Sequence, residues 1–145
     1  MRYLLIVSFF VITGCATSPY GNFTNQKTTH HEISSQDTHD VIAKDALSQL
    51  SSHYPPAKTK LSFIHEIDKN DTFGLLLVNK MRISGYAIQE YRKDTDPTGL
   101  TFAYTLDQIE DIYRLTIYIA GQRLSRPYLF ESGVVTPSGP WSRKE

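Results

Sequence analysis

One cysteine, five histidines and a basic, aromatic C-terminal stretch are the places where this sequence could do chemistry. Cys15 stands directly after Ile12-Thr13-Gly14, at the end of an apolar run. Small residues closing an apolar run suit cleavage of a secretory signal at that point, beside the chain's one thiol. The histidines offer less. His30, His31 and His39 lie in or beside a polar stretch, where solvent is the expected surrounding. The most they could add is a weak adventitious metal contact with Asp37 and Asp40. His53 ends a predicted helix, where a cation is favoured beside the last carbonyls. His65 falls on the apolar side of a predicted strand and reads as a hydrogen-bonded histidine of the rim or core. The chain has no glycine-rich phosphate loop, nucleophile elbow or paired-histidine motif, so neither an enzyme nor a metal site is expected. No cofactor is expected beyond a covalent lipid on Cys15.

Near the C-terminus, Arg123, Ser125, Arg126 and Tyr128 fall along one predicted strand, and Trp141, Arg143 and Lys144 close the chain. Arg, Tyr and Trp are enriched at the centres of protein interfaces. Arg123, Arg126, Tyr128 and Trp141 are therefore the candidate partner contact. The competing reading is a solvated edge strand protected by its own charges.

Stepping outward, Met1-Arg2 gives a positive start and Tyr3 to Ile12 is apolar apart from Ser8. A charged start, an apolar run and a small-residue cleavage site make a secretory signal. The roughly 12 apolar or small residues would cover about 18 Å as a helix. A bilayer core is about 30 Å thick and needs roughly 20, so the segment is too short to span. Aliphatic–small–Gly–Cys resembles the bacterial lipobox; the alternative is a chance cysteine beside an ordinary cleavage site. Residues 1–14 are thus expected to be a signal peptide, with Cys15 carrying the acyl chains that hold the mature chain in a membrane. Several acyl chains anchor far more firmly than one. Cys15 is the sole cysteine, so no disulfide framework is expected. Ala16 follows it rather than an acidic residue, which by resemblance to enterobacterial lipoproteins favours the outer membrane, facing the periplasm.

The charge is balanced. Loss of Arg2 with the signal leaves 14 basic against 15 acidic residues. That argues against an electrostatic nucleic-acid binder, which would show a basic patch or stripe, so no direct nucleic-acid contact is expected. It equally argues against a polybasic membrane contact.

Residues 15–36 are mostly Thr, Ser, Asn, Gln and His with isolated Tyr20, Phe23 and Ile33, and read as a lipidated flexible tether. About 21 such residues reach roughly 25 Å. Tyr20-Gly21-Asn22-Phe23 could instead be a short docking peptide. Residues 37–145 read as one domain. Asp37 or Thr38 can cap a helix to about His53, with Ile42, Ala46, Leu47 and Leu50 at helical spacing and Tyr54-Pro55-Pro56 as its stop. Leu61 to Ile67 alternates as a strand. Asp71 caps a second helix carrying Phe73, Leu76, Leu77 and Met81, and Gly85 sits where a helix C′ glycine belongs. Tyr86 to Tyr91 completes a βαβ unit with parallel strands. After the turn-forming residues 94–99 the pattern reads as antiparallel, with strands at 100–106, 113–119 and 122–130 and a turn at Ala120-Gly121. Pro127 marks an edge strand or the end of pairing. The expected class is α+β, two helices on one face of a mixed sheet, in the order α-β-α-β-β-β-β. The tail from Gly133 is expected to be extended, with the Trp141 indole packed or at a contact.

Several segments together resemble the conjugal-transfer lipoprotein family TrbH. They include Cys15-Ala16-Thr17, Tyr20 to Phe23, Gln49-Leu50 and Tyr54-Pro55-Pro56-Ala57. They continue with Asp71-Thr72-Phe73-Gly74, Ser84-Gly85-Tyr86-Ala87, Tyr113-Arg114-Leu115-Thr116 and Leu124-Ser125-Arg126-Pro127-Tyr128. The resemblance implies a structural or assembly component of a conjugative type IV secretion apparatus for mating-pair formation, in the cell envelope. It implies other secretion-channel proteins as partners and supplies no catalytic residues. The alternative of a different class is a periplasmic ligand-binding lipoprotein unrelated to DNA transfer.

Overall fold

The computed structural model describes residues 35–145. The signal, Cys15 and nearly all of the proposed tether, with His30 and His31, lie outside the described residues. The order is α1 (Ser35–His53), a 3₁₀ turn (Pro56–Lys58), β1 (Lys60–Phe63), α2 (Thr72–Ile83), β2 (Ala87–Gln89), β3 (Leu100–Ile109), β4 (Ile112–Ile119), β5 (Gln122–Glu131), β6 (Val134–Pro137) and β7 (Ser142–Lys144). This is the α+β arrangement the sequence implies, with two further short strands in the tail.

Helix α1 begins at Ser35, so Asp37 and Thr38 sit in its first turn rather than at its cap. Its apolar stripe, Ile42, Ala46 and Leu50, is fully buried. Helix α2 starts as expected. The Asp71 side chain accepts a 2.8 Å hydrogen bond from the Gly74 amide, filling one of the donors left open in a first turn. It ends in a Schellman closure: the Tyr86 amide reaches the Met81 carbonyl and the Gly85 amide that of Arg82, each at 3.0 Å. Gly85 takes φ +92°, which a side chain would strain. Phe73, Leu77, Val78 and Met81 face the core.

The sheet runs β2-β1-β3-β4-β5-β6, with β7 also paired to β5. β1 and β2 are parallel around α2, as a βαβ unit requires. The change to antiparallel comes one strand later than the sequence suggested. β3 is parallel to β1, on the side away from β2, and becomes the first antiparallel partner only toward β4. Residues 90–99 are therefore a crossover past β1 rather than a simple turn. Polar bonds pin that crossover. Gln89 donates from Nε2 to the Asp96 carbonyl at 2.9 Å, and its Oε1 accepts from the Thr98 amide at 3.2 Å. Fully buried Ser62 accepts from the Gly99 amide at 3.2 Å. A Cβ at Gly99 would lie 2.3 Å from the Lys60 carbonyl oxygen, so the crossing admits no side chain there.

β1 stops at Phe63 instead of reaching Ile67, because the chain must turn at Asp68-Asn70 to start α2 at Asp71. His65 is consequently exposed beyond the strand, not on its apolar face. Nor is β5 an edge strand. One side pairs with β4 throughout, and the other with β6 at residues 128–131 and with β7 at residues 123–125. Pro127, which has no amide hydrogen to give, occupies the gap between those two partners.

Both helices cover one face. Phe102, Leu106, Leu115, Ile117, Ile119, Leu124 and Tyr128 project into a core completed by α1 and α2. At roughly 25 cal/mol per Å² of apolar surface, this burial dominates the stabilisation. The opposite face is left uncovered by any described element, and that division organises the candidate sites.

Candidate functional site

Strand parity sorts the proposed contact residues. In β4 and β5, Leu115 stands opposite Arg126 and Tyr113 opposite Tyr128, on the helix-covered face. Tyr118 stands opposite Arg123, and Thr116 opposite Ser125, on the open face. Arg126 and Tyr128 thus turn inward while Arg123 turns outward.

Inside, Asp45 of α1 gathers three of the four. Arg126 Nη1 donates to both carboxylate oxygens at 2.8 and 2.9 Å. The Tyr128 hydroxyl donates at 2.7 Å and the Trp141 indole Nε1 at 3.1 Å. Arg126 Nε also holds the Gly139 carbonyl at 2.8 Å, and the Ser138 amide holds that of Pro127 at 2.9 Å. These bonds carry the tail across the Pro127 gap and bring Trp141 to the helix. Burial, reinforced by the bond to Asp45, pushes the Tyr128 hydroxyl far above its ordinary ionisation range. It remains a donor. Arg126, Tyr128 and Trp141 are clamps between helix and sheet, and do not share a surface with Arg123.

A second carboxylate works the same way. Asp71 caps α2 through Oδ1 and accepts the Tyr104 hydroxyl at Oδ2. Burial and then Asp71 raise the Tyr104 hydroxyl far above its ordinary range as well. A Cβ at Gly74 would fall 1.8 Å from the Tyr104 oxygen, so this contact needs glycine. His39, expected in a solvated stretch, is only 7% exposed. Its ring meets Phe73 edge-on at 5.5 Å between centroids, and its Nδ1 lies 3.4 Å from the Thr72 hydroxyl. Burial holds its pKa below the usual value, against the opposing pull of Asp71. The helix simply begins early enough to fold His39 inward. Asp40 binds Lys44 at 2.7 Å and Lys80 of α2 at 2.5 Å, and among the described residues no three acidic, His or Cys side chains converge on a metal site.

The open face holds a recess of about 630 Å³. Thr105, Thr116, Ser125 and Ser142 stand in register across β3, β4, β5 and β7 and make its floor. Tyr118, Arg123 and Lys144 line one side, and Asp107 with Arg114 the other. Sequence reasoning named Arg123, Ser125 and Lys144 but did not join them with Thr105, Thr116 and Ser142 into a row. The signal was present in the polar alternates of β3, β4 and β5, and the strand that completes it, β7, carries no pattern of its own.

What these features define is an α+β domain covered by helices on one face and open on the other, with Asp45 and Asp71 used as internal fasteners. The family described as conjugal transfer protein TrbH matches residues 17–145, nearly the whole sequence, and the chain belongs to that family. No curated protein and no solved structure matches it.

Proposed function

We propose that this chain is a structural, non-enzymatic assembly subunit of a conjugative type IV secretion apparatus, held in the outer membrane by acyl chains on Cys15 and facing the periplasm. The observation that carries the reading is the family match over residues 17–145, which makes the chain a conjugal transfer protein. The use of Asp45, Asp71, Tyr104 and Tyr128 in internal bonds supports a scaffold rather than a reaction centre. The lipid anchor rests on the Ile12-Thr13-Gly14-Cys15 run, and no described helix is long and apolar enough to cross a membrane. Other secretion-channel proteins are its partners in this reading, and it touches no nucleic acid directly.

Deleting the gene from donor cells tests the assembly role: plasmid transfer should fall sharply while recipient ability is unaffected. Normal transfer would leave a periplasmic ligand-binding lipoprotein as the better account. Cys15→Ser tests the anchor separately. Palmitate labelling and outer-membrane fractionation should both be lost, and persistence of both would refute lipidation at that residue.

A further inference from the structure

We propose that the recess on the open face of the sheet is a docking trough for an extended acidic segment of a partner protein. This rests on the assembly reading above and specifies the chemistry of one of its contacts. The floor is a row of four small hydroxyl side chains in register across four strands, Thr105, Thr116, Ser125 and Ser142. Neighbouring strands lie about 4.8 Å apart, so the row is roughly 14 Å long. An extended peptide rises about 3.3 Å per residue, so about four residues fit along it. Thr116 and Ser125 share one bond at 3.1 Å, and Ser142 donates to the Ser125 carbonyl at 3.1 Å. The row therefore offers a peptide the Thr105 hydroxyl, one donor from the Thr116–Ser125 pair, and oxygen lone pairs that can accept its amides.

The walls set the charge. Arg123 and Lys144 face each other directly on β5 and β7, whereas Arg143 stands opposite core residue Leu124 and belongs to the other face. Like charges directly opposite one another on a sheet are unfavourable. Among the described residues, neither of the two has an ion-pair partner. Arg114 across the trough is already matched by Asp107 at 3.1 Å. Two uncompensated cations side by side in a recess that a chain can enter call for an anionic occupant.

The surroundings choose the kind of anion. Beyond Arg114 the same face continues into Ile109, Ile112, Leu129 and Val134, exposed by 69%, 51%, 36% and 58%. A free phosphate makes no use of aliphatic side chains, whereas a polypeptide does. Single-stranded nucleic acid needs successive aromatic platforms, and this recess has one aromatic ring, Tyr118. A bilayer surface is flat and meets protruding cations before it meets a recessed hydroxyl floor.

The full chain, reconstituted in phosphatidylcholine vesicles, should bind fluorescein-labelled hexaglutamate saturably by anisotropy, more weakly as salt is raised. Arg123→Gln with Lys144→Gln should weaken that binding about tenfold or more while leaving the melting temperature unchanged. Arg92→Gln with Lys93→Gln, an exposed basic pair on the crossover, should leave it as it was. Absence of saturable binding, or equal losses in both double variants, would overturn the proposal. So would tighter binding of a short oligothymidylate or of phosphatidylglycerol vesicles, which would make the occupant a nucleic acid or a membrane. The two readings fail separately. A transfer defect on gene deletion without peptide binding removes only the trough, and peptide binding with normal transfer removes only the assembly role.

Discussion

The two faces of this sheet are cut from the same strands, residue by alternating residue, yet they treat charge in opposite ways. On the inner face the buried carboxylates are tied down. Asp45 receives four donor contacts from three side chains, and Asp71 serves a helix cap and a tyrosine at once. On the outer face Arg123 and Lys144 stand side by side in a recess without an ion-pair partner among the described residues. A charge taken out of water must be paired or the fold loses several kcal/mol, whereas a charge left in water costs the fold little. Inner polar residues therefore report on architecture, and outer ones are free to serve recognition.

This contrast can be broken by substitution, and the largest effect belongs to the core itself. Leu115→Ala should cost about 2–5 kcal/mol in denaturant unfolding, because Leu115 is fully buried beneath the helices. A near-neutral result would mean that the covered face is not the core. Asp45→Ala should come next, at about 2–4 kcal/mol, since it strands the partly buried Arg126 guanidinium and two further donors. If Asp45→Ala melted like the native chain, the clamp would be incidental. Tyr104→Phe removes a single bond to Asp71 and should cost about 1–2 kcal/mol, read in the same unfolding titration.

His39 gives a smaller, pH-dependent effect. Burial lowers its pKa in the folded state, so the unfolded chain binds the proton more readily. Its contribution is complete above the ordinary value of 6.5 and is lost as pH falls through the lower folded value. Melting temperatures compared at about pH 7.5 and pH 5 should therefore drop on acidification, and less so in His39→Gln. An equal drop in both would assign the dependence to another group. The smallest stability effect is expected on the outer face, where Arg123→Gln with Lys144→Gln should stay within about 0.5 kcal/mol. A large loss there would show that the two faces are not divided as described.

Much of the fold was legible from local rules. Asp71, Gly85 and the Tyr54-Pro55-Pro56 stop act over a few residues, and the apolar stripes of α1 and α2 are set by helical period, so each could be read directly. The βαβ pairing and the strand-turn-strand succession from Leu100 to Phe130 were readable for the same reason. What failed depended on distant neighbours. The crossover at residues 90–99 rests on Gln89, Ser62 and Gly99, which meet only once β1 is flanked on both sides. Pro127 looks like an edge marker in isolation, and only the positions of β6 and β7 show it filling a gap inside the sheet.

The candidate site divides along the same line. Residue types alone put Arg123, Arg126, Tyr128 and Trp141 together as a contact, and alternation already separates Arg123 from the other two strand residues. Chain order alone determined the Asp71 cap and Gly85 close of α2 and the alternation of β3 to β5, because those follow from covalent sequence and backbone period. Tertiary structure decided that Asp45, 81 positions from Arg126 along the chain, would capture three of the four, and that Ser142 and Lys144 would complete a trough begun by Thr105. Such convergence is set by where the chain returns in space, and the energy of pairing a buried carboxylate is realised only after it has returned.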